Sequence, residues 1–342
     1  MKNYDSFPID HIFICEGWHA LNDMYPFFTA LNKSRKLFFT DVLPENVLFG
    51  GKILPLSKLK RFKASGRRAV IYLSPRQHYN RYVQKGPLKF LKDFKIVRMF
   101  HGIVGPWAKI ITSDDPFWDV IIAASRLDAD FWKRTTRQQV EIMGWPKGES
   151  FVIENKLKPS STNEILITSN WSVEKGDLRI CDHLNQLENY QVTFALHPLL
   201  EQKDDSKRRF DPFLVERQLK KLERANVKTV SCNDGILPHM LNKSFLLSAV
   251  SSSALEWLLF NKPVIFLKKH PDLNFGPTMD FSKKLASQLD AAEKNLLYET
   301  MRVSLREKLM SHFDGRYANR FNELARQLEF EMVHESTIRT AI

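Results

Sequence analysis

Short apolar runs recur through this chain, and helical patterns separate them. HIFIC (11–15), KLFFTDV (36–42), RAVIYLS (68–74), KIVRMFHG (95–102) and DVIIAAS (119–125) read as buried strands. HALNDMYPFFTALN (19–32) and RLDADFWKRTTRQQ (126–139) read as helices, and Pro26 inside the first predicts a kink or a late start. EIMGWPKGES (141–150) has the Gly and Pro of a connector. The rhythm then resumes. EILITSN (164–170), YQVTFALHP (190–198), VKTVSC (227–232), SFLLSAVS (244–251) and KPVIFLK (262–268) are strand candidates. DGILPHMLNKS (234–244) and SALEWLLFN (253–261) read as short helices, and residues 283–328 as helical throughout. Strands alternating with helices predict parallel sheets covered on both faces. Two such series, joined near residue 150, predict an α/β chain of two Rossmann-like lobes with parallel sheets facing a central cleft. The expected division is an acceptor- and membrane-facing lobe at 1–148, a nucleotide-donor lobe at 149–315, and a terminal helix at 316–342.

Composition narrows the partners. The net charge is +12, and basic residues crowd into Lys33–Lys36, Lys52–Arg68, Arg76–Lys95, Lys207–Arg209 and Arg217–Lys228. That balance points to an anionic partner, with a solvated basic surface as the plain alternative for any one run. In KLKRFKASGRR and KGPLKFLKDFK, Leu and Phe interleave with Lys and Arg, a pattern suited to lying on an anionic membrane face. No apolar run reaches the ~18–20 residues a bilayer span needs. Met1 to Asp10 lacks a signal-peptide pattern, so export is not expected. Cys15, Cys181 and Cys232 are unclustered, which predicts free thiols in a reducing compartment and no zinc site. No zinc-finger, RNA-recognition or helix-turn-helix pattern appears, so nucleic acid is not the expected partner. No cofactor and no metal are expected. Asp114-Asp115 and Asp204-Asp205 read as solvated turns.

The stretch SAVSSSALEWLLFNKPVIFL (248–267) places Ser251, Ser252 and Ser253 between a strand and the helix after it. Ligands of open parallel sheets bind beyond the carboxyl ends of the strands. First-turn N–H groups of a helix suit phosphate, and serine hydroxyls add donors without bulk. Glu256, one turn on, is placed to accept from ribose hydroxyls. A single serine capping the helix is the plain alternative.

FHG (100–102), GWPK (144–147), ILITSNW (165–171), LHP (196–198), DGILPHML (234–241) and SSSALEWLLFNKPVIF (251–266) follow one another in an order that resembles the CDP-glycerol glycerophosphotransferases of teichoic-acid and capsule synthesis. The resemblance covers roughly residues 95–270. It implies the two-lobed GT-B fold and phosphoryl transfer from a cytidine diphosphate ester to an acceptor hydroxyl. It implies active-site roles for His101 and His197, with Gly102 giving the first room and Lys109 as a basic neighbour. Ser251 and Ser252 match the family's paired serines, and Glu256 its acidic position. Asp234 is the acidic residue of a segment near the nucleotide, with an N-cap as its alternative; His239 lies in the same segment. By analogy with GT-B proteins, the terminal helix crosses back onto the first lobe.

The sequence departs from the family at Ala249 and Val250, where an Asp and an aromatic are common, at Ala195 and Leu196 before the His-Pro, and in IVGPWAK after the His-Gly. The donor therefore stays open between a CDP-polyol and a nucleotide-activated sugar such as CMP-Kdo or CMP-sialic acid. The acceptor is expected to be lipid-linked or polymeric. The expected location is cytoplasmic and peripheral, at the inner face of the membrane. A nucleic-acid-binding protein and a non-catalytic scaffold with a degenerate pocket are the other classes considered.

Overall fold

The structure is a computed structural model that describes residues 8–33, 35–42, 53–73, 78–100, 117–155, 163–169, 179–187, 189–197, 212–225, 227–232 and 235–341. The chain forms two compact units, 1–149 with 311–342, and 150–310.

The first unit holds a seven-stranded sheet. Its strands are β1 (Ile9–Cys15), β2 (Lys36–Thr40), β3 (Ile53–Pro55), β4 (Arg68–Leu73), β5 (Asp93–Arg98), β6 (Val120–Ala123) and β7 (Gln139–Ile142). The order is β3-β2-β1-β4-β5-β6-β7, and every pairing is parallel. β4 and β6 are buried from end to end, as strands covered on both faces must be. A helix, Trp18–Ala30, follows β1 and contains Pro26 well inside it, so the expected late start does not occur. The terminal helix Tyr317–Ala341 belongs to this unit. Its Phe321, Leu324, Ala325, Leu328 and Met332 are buried. Phe321 packs against Phe13, Phe27 and Tyr72, with ring centroids 6.1, 5.0 and 5.3 Å away. Beside these rings His11 is fully buried on β1, with Nδ1 2.9 Å from the Tyr72 hydroxyl and Nε2 2.8 Å from Glu329. Lys33 pairs with the other Glu329 oxygen at 2.5 Å.

The segment expected as a connector is regular structure. Residues 139–142 add β7 to the sheet edge, and Pro146 opens a helix, Pro146–Asn155. Proline fits a first helical turn because its missing N–H has no partner there anyway. Gly144, at φ +99°, makes the turn between them.

The second unit holds a five-stranded parallel sheet of β8 (Glu164–Thr168), β9 (Gln191–Leu196), β10 (Lys228–Ser231), β11 (Phe245–Ser248) and β12 (Val264–Phe266), in the order β10-β9-β8-β11-β12. Ile165, Ile167, Phe194, Leu247 and Ile265 from the strands share a core with Leu222, Leu285 and Leu289 from flanking helices. The basic run Arg217–Lys228 lies mostly on a helix, Pro212–Arg224, that the sequence reading did not anticipate. Val215, Gln218 and Leu222 are buried, whereas Glu216, Arg217, Lys220 and Arg224 are exposed. That run is a solvated helix face, with Lys220 paired to Glu216 at 2.8 Å. Both sheets begin in the middle, grow to one side, and then restart on the other flank of their first strand. The restarts fall between β1 and β4 and between β8 and β11.

Candidate functional site

Beyond the carboxyl ends of β8, β9 and β11 the second unit gathers hydroxyl groups. Thr168 ends β8 and Ser248 ends β11. The register sets these two residues opposite one another, and their hydroxyl oxygens are 3.0 Å apart. The Ser253 hydroxyl donates to Thr168 Oγ1 at 3.2 Å, and it lies 2.5 Å from that of Ser251. Ser169 follows β8, and its Oγ accepts from the backbone N–H of His197, the residue that follows β9, at 3.4 Å. Three segments distant in sequence, 168–169, 197 and 248–253, thus meet at one sheet edge, where the strand order reverses. Parallel strand dipoles and open loops make such a crevice the usual ligand site of a doubly wound sheet.

Helix capping does not account for the serines. Ser251 is the N-cap of the helix Ser252–Glu256, yet its side chain makes no capping bond. Elsewhere in this chain caps behave in the ordinary way. Ser125 accepts from the N–H of Asp128, and Asn295 from that of Tyr298. The Ser251 hydroxyl turns instead toward Ser253. The helix itself is short. It continues as a 3-10 turn, Trp257–Phe260, and ends at Asn261, whose φ of +51° is the left-handed stop before Lys262-Pro263. Such a helix has little macrodipole, so its contribution to anion binding is its first-turn N–H groups and the hydroxyls beside them. Glu256 closes the α-helical turn and is 6% exposed. Ala249 and Val250, at the family's Asp and aromatic positions, are buried.

Of the residues singled out from sequence, Ser251, Ser252, Ser253, Glu256 and the His197 backbone lie on or next to this edge. His101, Gly102, Lys109 and Asp234 lie outside the described residues. His239 directs Nε2 to the Ser231 carbonyl at 3.0 Å, a structural role. Thr168, Ser169 and Ser248 were not singled out. Their signal was present as the polar ends of ILITSN and SFLLS, but only strand pairing shows that these ends are neighbours.

Burial sets the chemistry of the remaining thiols and of one lysine. Cys15 and Cys181 are buried and their thiols are pushed up, the second to about 12, so neither is a ready nucleophile. Desolvation lowers Lys262 to about 8; its ammonium donates to the Lys243 carbonyl at 2.6 Å. Among the described residues, no group of His, Cys, Asp and Glu side chains could hold a metal ion, and no helix is long and apolar enough to cross a membrane.

No family model and no curated protein sequence matches the chain. Solved structures do. The wall teichoic acid polymerase TagF, in a form soaked with CDPG, matches at 12% identity with a TM-score of 0.55, covering 98% of this chain and 91% of that one. A further variant of TagF matches at 11% and 0.57, covering 97% and 92%. A sucrose-phosphate synthase from Thermosynechococcus elongatus matches at 14% and 0.51, covering 94% and 100%. At these identities the likeness is one of architecture: the chain has an α/β fold of the GT-B type, built from two Rossmann-like lobes with parallel sheets.

Proposed function

We propose that this chain is a nucleotide-dependent transferase that moves glycerol phosphate, or a related polyol phosphate, from a CDP-linked donor to a lipid-linked or polymeric acceptor of the cell envelope. The observation that carries the reading is the hydroxyl cluster at the β8/β11 reversal, with a Ser251 side chain that caps no helix. Small neutral donors grouped at the start of a helix suit a diphosphate. The order of motifs shared with the glycerophosphotransferases and the architectural likeness to a teichoic acid polymerase support the same reading.

In this reaction the acceptor hydroxyl attacks the phosphorus that carries glycerol. The bond from that phosphorus to the cytidine monophosphate oxygen breaks, and CMP leaves. Catalysis then consists of holding the diphosphate and taking the hydroxyl proton. We assign the diphosphate to Ser251, Ser252 and Ser253, and the donor's remaining contacts to Glu256 and Asp234. His197 interacts with the phosphates. We assign the hydroxyl proton to His101; the resemblance implies active-site roles for both histidines, with Gly102 and Lys109 as further residues of the same segment.

A sugar nucleotide is the second reading, and a specific observation favours it. The buried Ala249 and Val250 replace the acidic and aromatic positions common among the glycerophosphotransferases, so the donor pocket need not keep their specificity. A donor screen separates the two. CDP-glycerol, CDP-ribitol, CMP-Kdo, CMP-sialic acid and UDP-sugars are tested for thermal protection and nucleotide release. Protection and turnover with a CDP-polyol, abolished by His101→Ala and by His197→Ala in folded protein, are expected. Turnover with a sugar nucleotide alone selects the second reading, and full activity in both variants refutes the histidine assignments.

The reading extends to an anionic membrane surface on the cytoplasmic side. Lys58, Lys60, Arg61 and Lys63 are all exposed on and just after a 3-10 turn, Leu56–Arg61. Lys85, Lys89 and Lys92 are exposed too, beside Phe90 at 61% exposure. The apolar residues that interleave with these charges mostly face inward. Leu59, Leu88 and Leu91 are buried, and Phe62 packs on Phe39. The attraction is accordingly electrostatic, with Phe90 as a lone apolar contact.

A further inference from the structure

Between the 3-10 turn Leu56–Arg61 and β4, the first unit makes a tight turn through Ala64, Ser65, Gly66 and Arg67. The Arg67 N–H closes it on the Ala64 carbonyl at 3.0 Å, and Gly66 fills the third place at φ +74°, where a side chain would be strained. The turn is anchored at its base. Ala64 is buried, and the Arg67 guanidinium lies 5.0 Å from the centre of the Phe62 ring, which packs on Phe39. Arg67 Nη1 donates to Oδ2 of Asp10 at 2.9 Å, and Asp10 is buried on β1. The tip is open. Ser65 and Gly66 are exposed, and a Cβ at Gly66 would meet no atom within 4 Å. The Ser65 hydroxyl makes no hydrogen bond to another described residue. An exposed loop tip of small residues is where a second enzyme reaches a folded chain most readily.

The charge around that hydroxyl comes from the fold as well as from the run. Arg61 and Lys63 precede Ser65 in sequence, and Arg67 follows it after one glycine. The backbone N–H of Lys92 donates to the Arg67 carbonyl at 2.8 Å, so the exposed Lys92 stands beside the turn. Arg35 joins them through the same carboxylate, its Nε donating to Asp10 Oδ1 at 2.7 Å. One buried carboxylate thus faces two part-exposed guanidiniums, and the surplus charge is positive. Ser57, the other serine beside the run, is different. It lies within the 3-10 turn, with Pro55 and Leu56 before it.

We propose that Ser65 is a phosphorylation site for a protein kinase that reads basic residues on both sides of its target, and that the phosphate releases the surface around Lys58, Lys60, Arg61 and Lys63 from anionic lipid. The Ser65 Oγ attacks the γ-phosphorus of ATP. A bond forms between Oγ and that phosphorus, and the bond from the phosphorus to the β,γ-bridging oxygen breaks. ADP leaves, and the hydroxyl proton passes to the kinase. A phosphoserine brings about −1.5 to −2 charges at neutral pH, roughly half of what those four residues supply. Basic segments leave membranes by this kind of charge cancellation. The fold tolerates the group, because it would project from the tip while Ala64, Phe62 and Asp10 hold the base. The release rests on the membrane reading above; the modification rests only on the turn.

The test incubates the full chain with ATP and the catalytic domain of protein kinase C, and its peptides are analysed by mass spectrometry. Phosphate is expected on the peptide that holds Ser65, lost in Ser65→Ala and kept in Ser57→Ala. The phosphorylated chain should co-sediment with phosphatidylserine vesicles about tenfold more weakly or less, and phosphatase treatment should restore it. Ser65→Ala should sediment as the wild-type chain does. A free peptide of residues 58–68 that is modified while the folded chain is not would show the turn closed to kinases, and overturns the proposal. Unchanged sedimentation of the fully phosphorylated chain overturns the release. If the unmodified chain does not sediment at all, the membrane reading falls and the release with it, whereas phosphate on Ser65 still upholds the modification.

Discussion

Single residues decide whether the second unit can hold a phosphate, and Thr168 is the most exposed to test. It accepts from Ser253 and lies within hydrogen-bonding distance of Ser248, so its hydroxyl ties β8 to both ends of the serine junction. Thr168→Val keeps the shape and removes the hydroxyl. One hydrogen bond is worth about 1 kcal/mol, so nucleotide affinity is expected to fall by roughly fivefold with little change in melting temperature. Titration calorimetry on the variant checks this, and unaltered affinity would show that the cluster serves packing. The serines themselves were legible in sequence because three hydroxyls in a row exceed what one helix cap uses. Thr168 was not legible, because a polar residue at a strand end is ordinary until its neighbour across the sheet is known.

At the scale of elements, the terminal helix Tyr317–Ala341 packs into the aromatic core of the first unit. Phe321 is fully buried among Phe13, Phe27 and Tyr72. Phe321→Ala should cost about 3–5 kcal/mol, read as an earlier unfolding transition of this unit with that of the second unit unmoved. The same helix brings a pH dependence. Burial raises the Glu329 carboxyl, but the bonds from His11 and Lys33 overcome this and hold it below its ordinary value. A carboxylate lowered on folding adds stability that is complete above its unfolded pKa and disappears as the pH falls through its folded one. The first unit should therefore weaken on acidification below the ordinary carboxylate range. Glu329→Gln should be less stable at neutral pH and show a flatter acid limb, which urea melts at stepped pH would show. The helix was visible in sequence as a polar-amphipathic segment. The bonds from Glu329 to His11 and Lys33 were not, since they join chain segments separated by almost the entire first unit and all of the second.

For the whole molecule, the charge of +12 is the property with the longest reach. It divides into two kinds of surface. The run at 217–228 is a helix face with an intrahelical ion pair, whereas Lys58, Lys60, Arg61 and Lys63 crowd together at one short turn. Under the proposed reading the second kind meets the anionic bilayer, at roughly 1 kcal/mol per basic residue near the surface. Replacing those four with Glu should weaken co-sedimentation with phosphatidylserine vesicles by about a hundredfold or more, and raising the salt should mimic it. Equal sedimentation of the variant would remove this surface from the proposal.

The sequence by itself determined the repeated alternation of strand and helix, the parallel character that follows from it, and the serine-tipped junction, because periodicity and local hydroxyl density are properties of neighbouring residues. It misread 141–150, where a Gly and a Pro suggested a connector but instead join a strand end to a helix start. Tertiary structure alone decided the order of the strands. That order sets Thr168 beside Ser248, 80 residues apart, and brings His78 against Glu16. Each sheet restarts on the far flank of its first strand, and no local pattern encodes which strand ends will then be neighbours. The crevices at those restarts exist because apolar faces from distant segments had to be buried together, and the polar strand ends came with them.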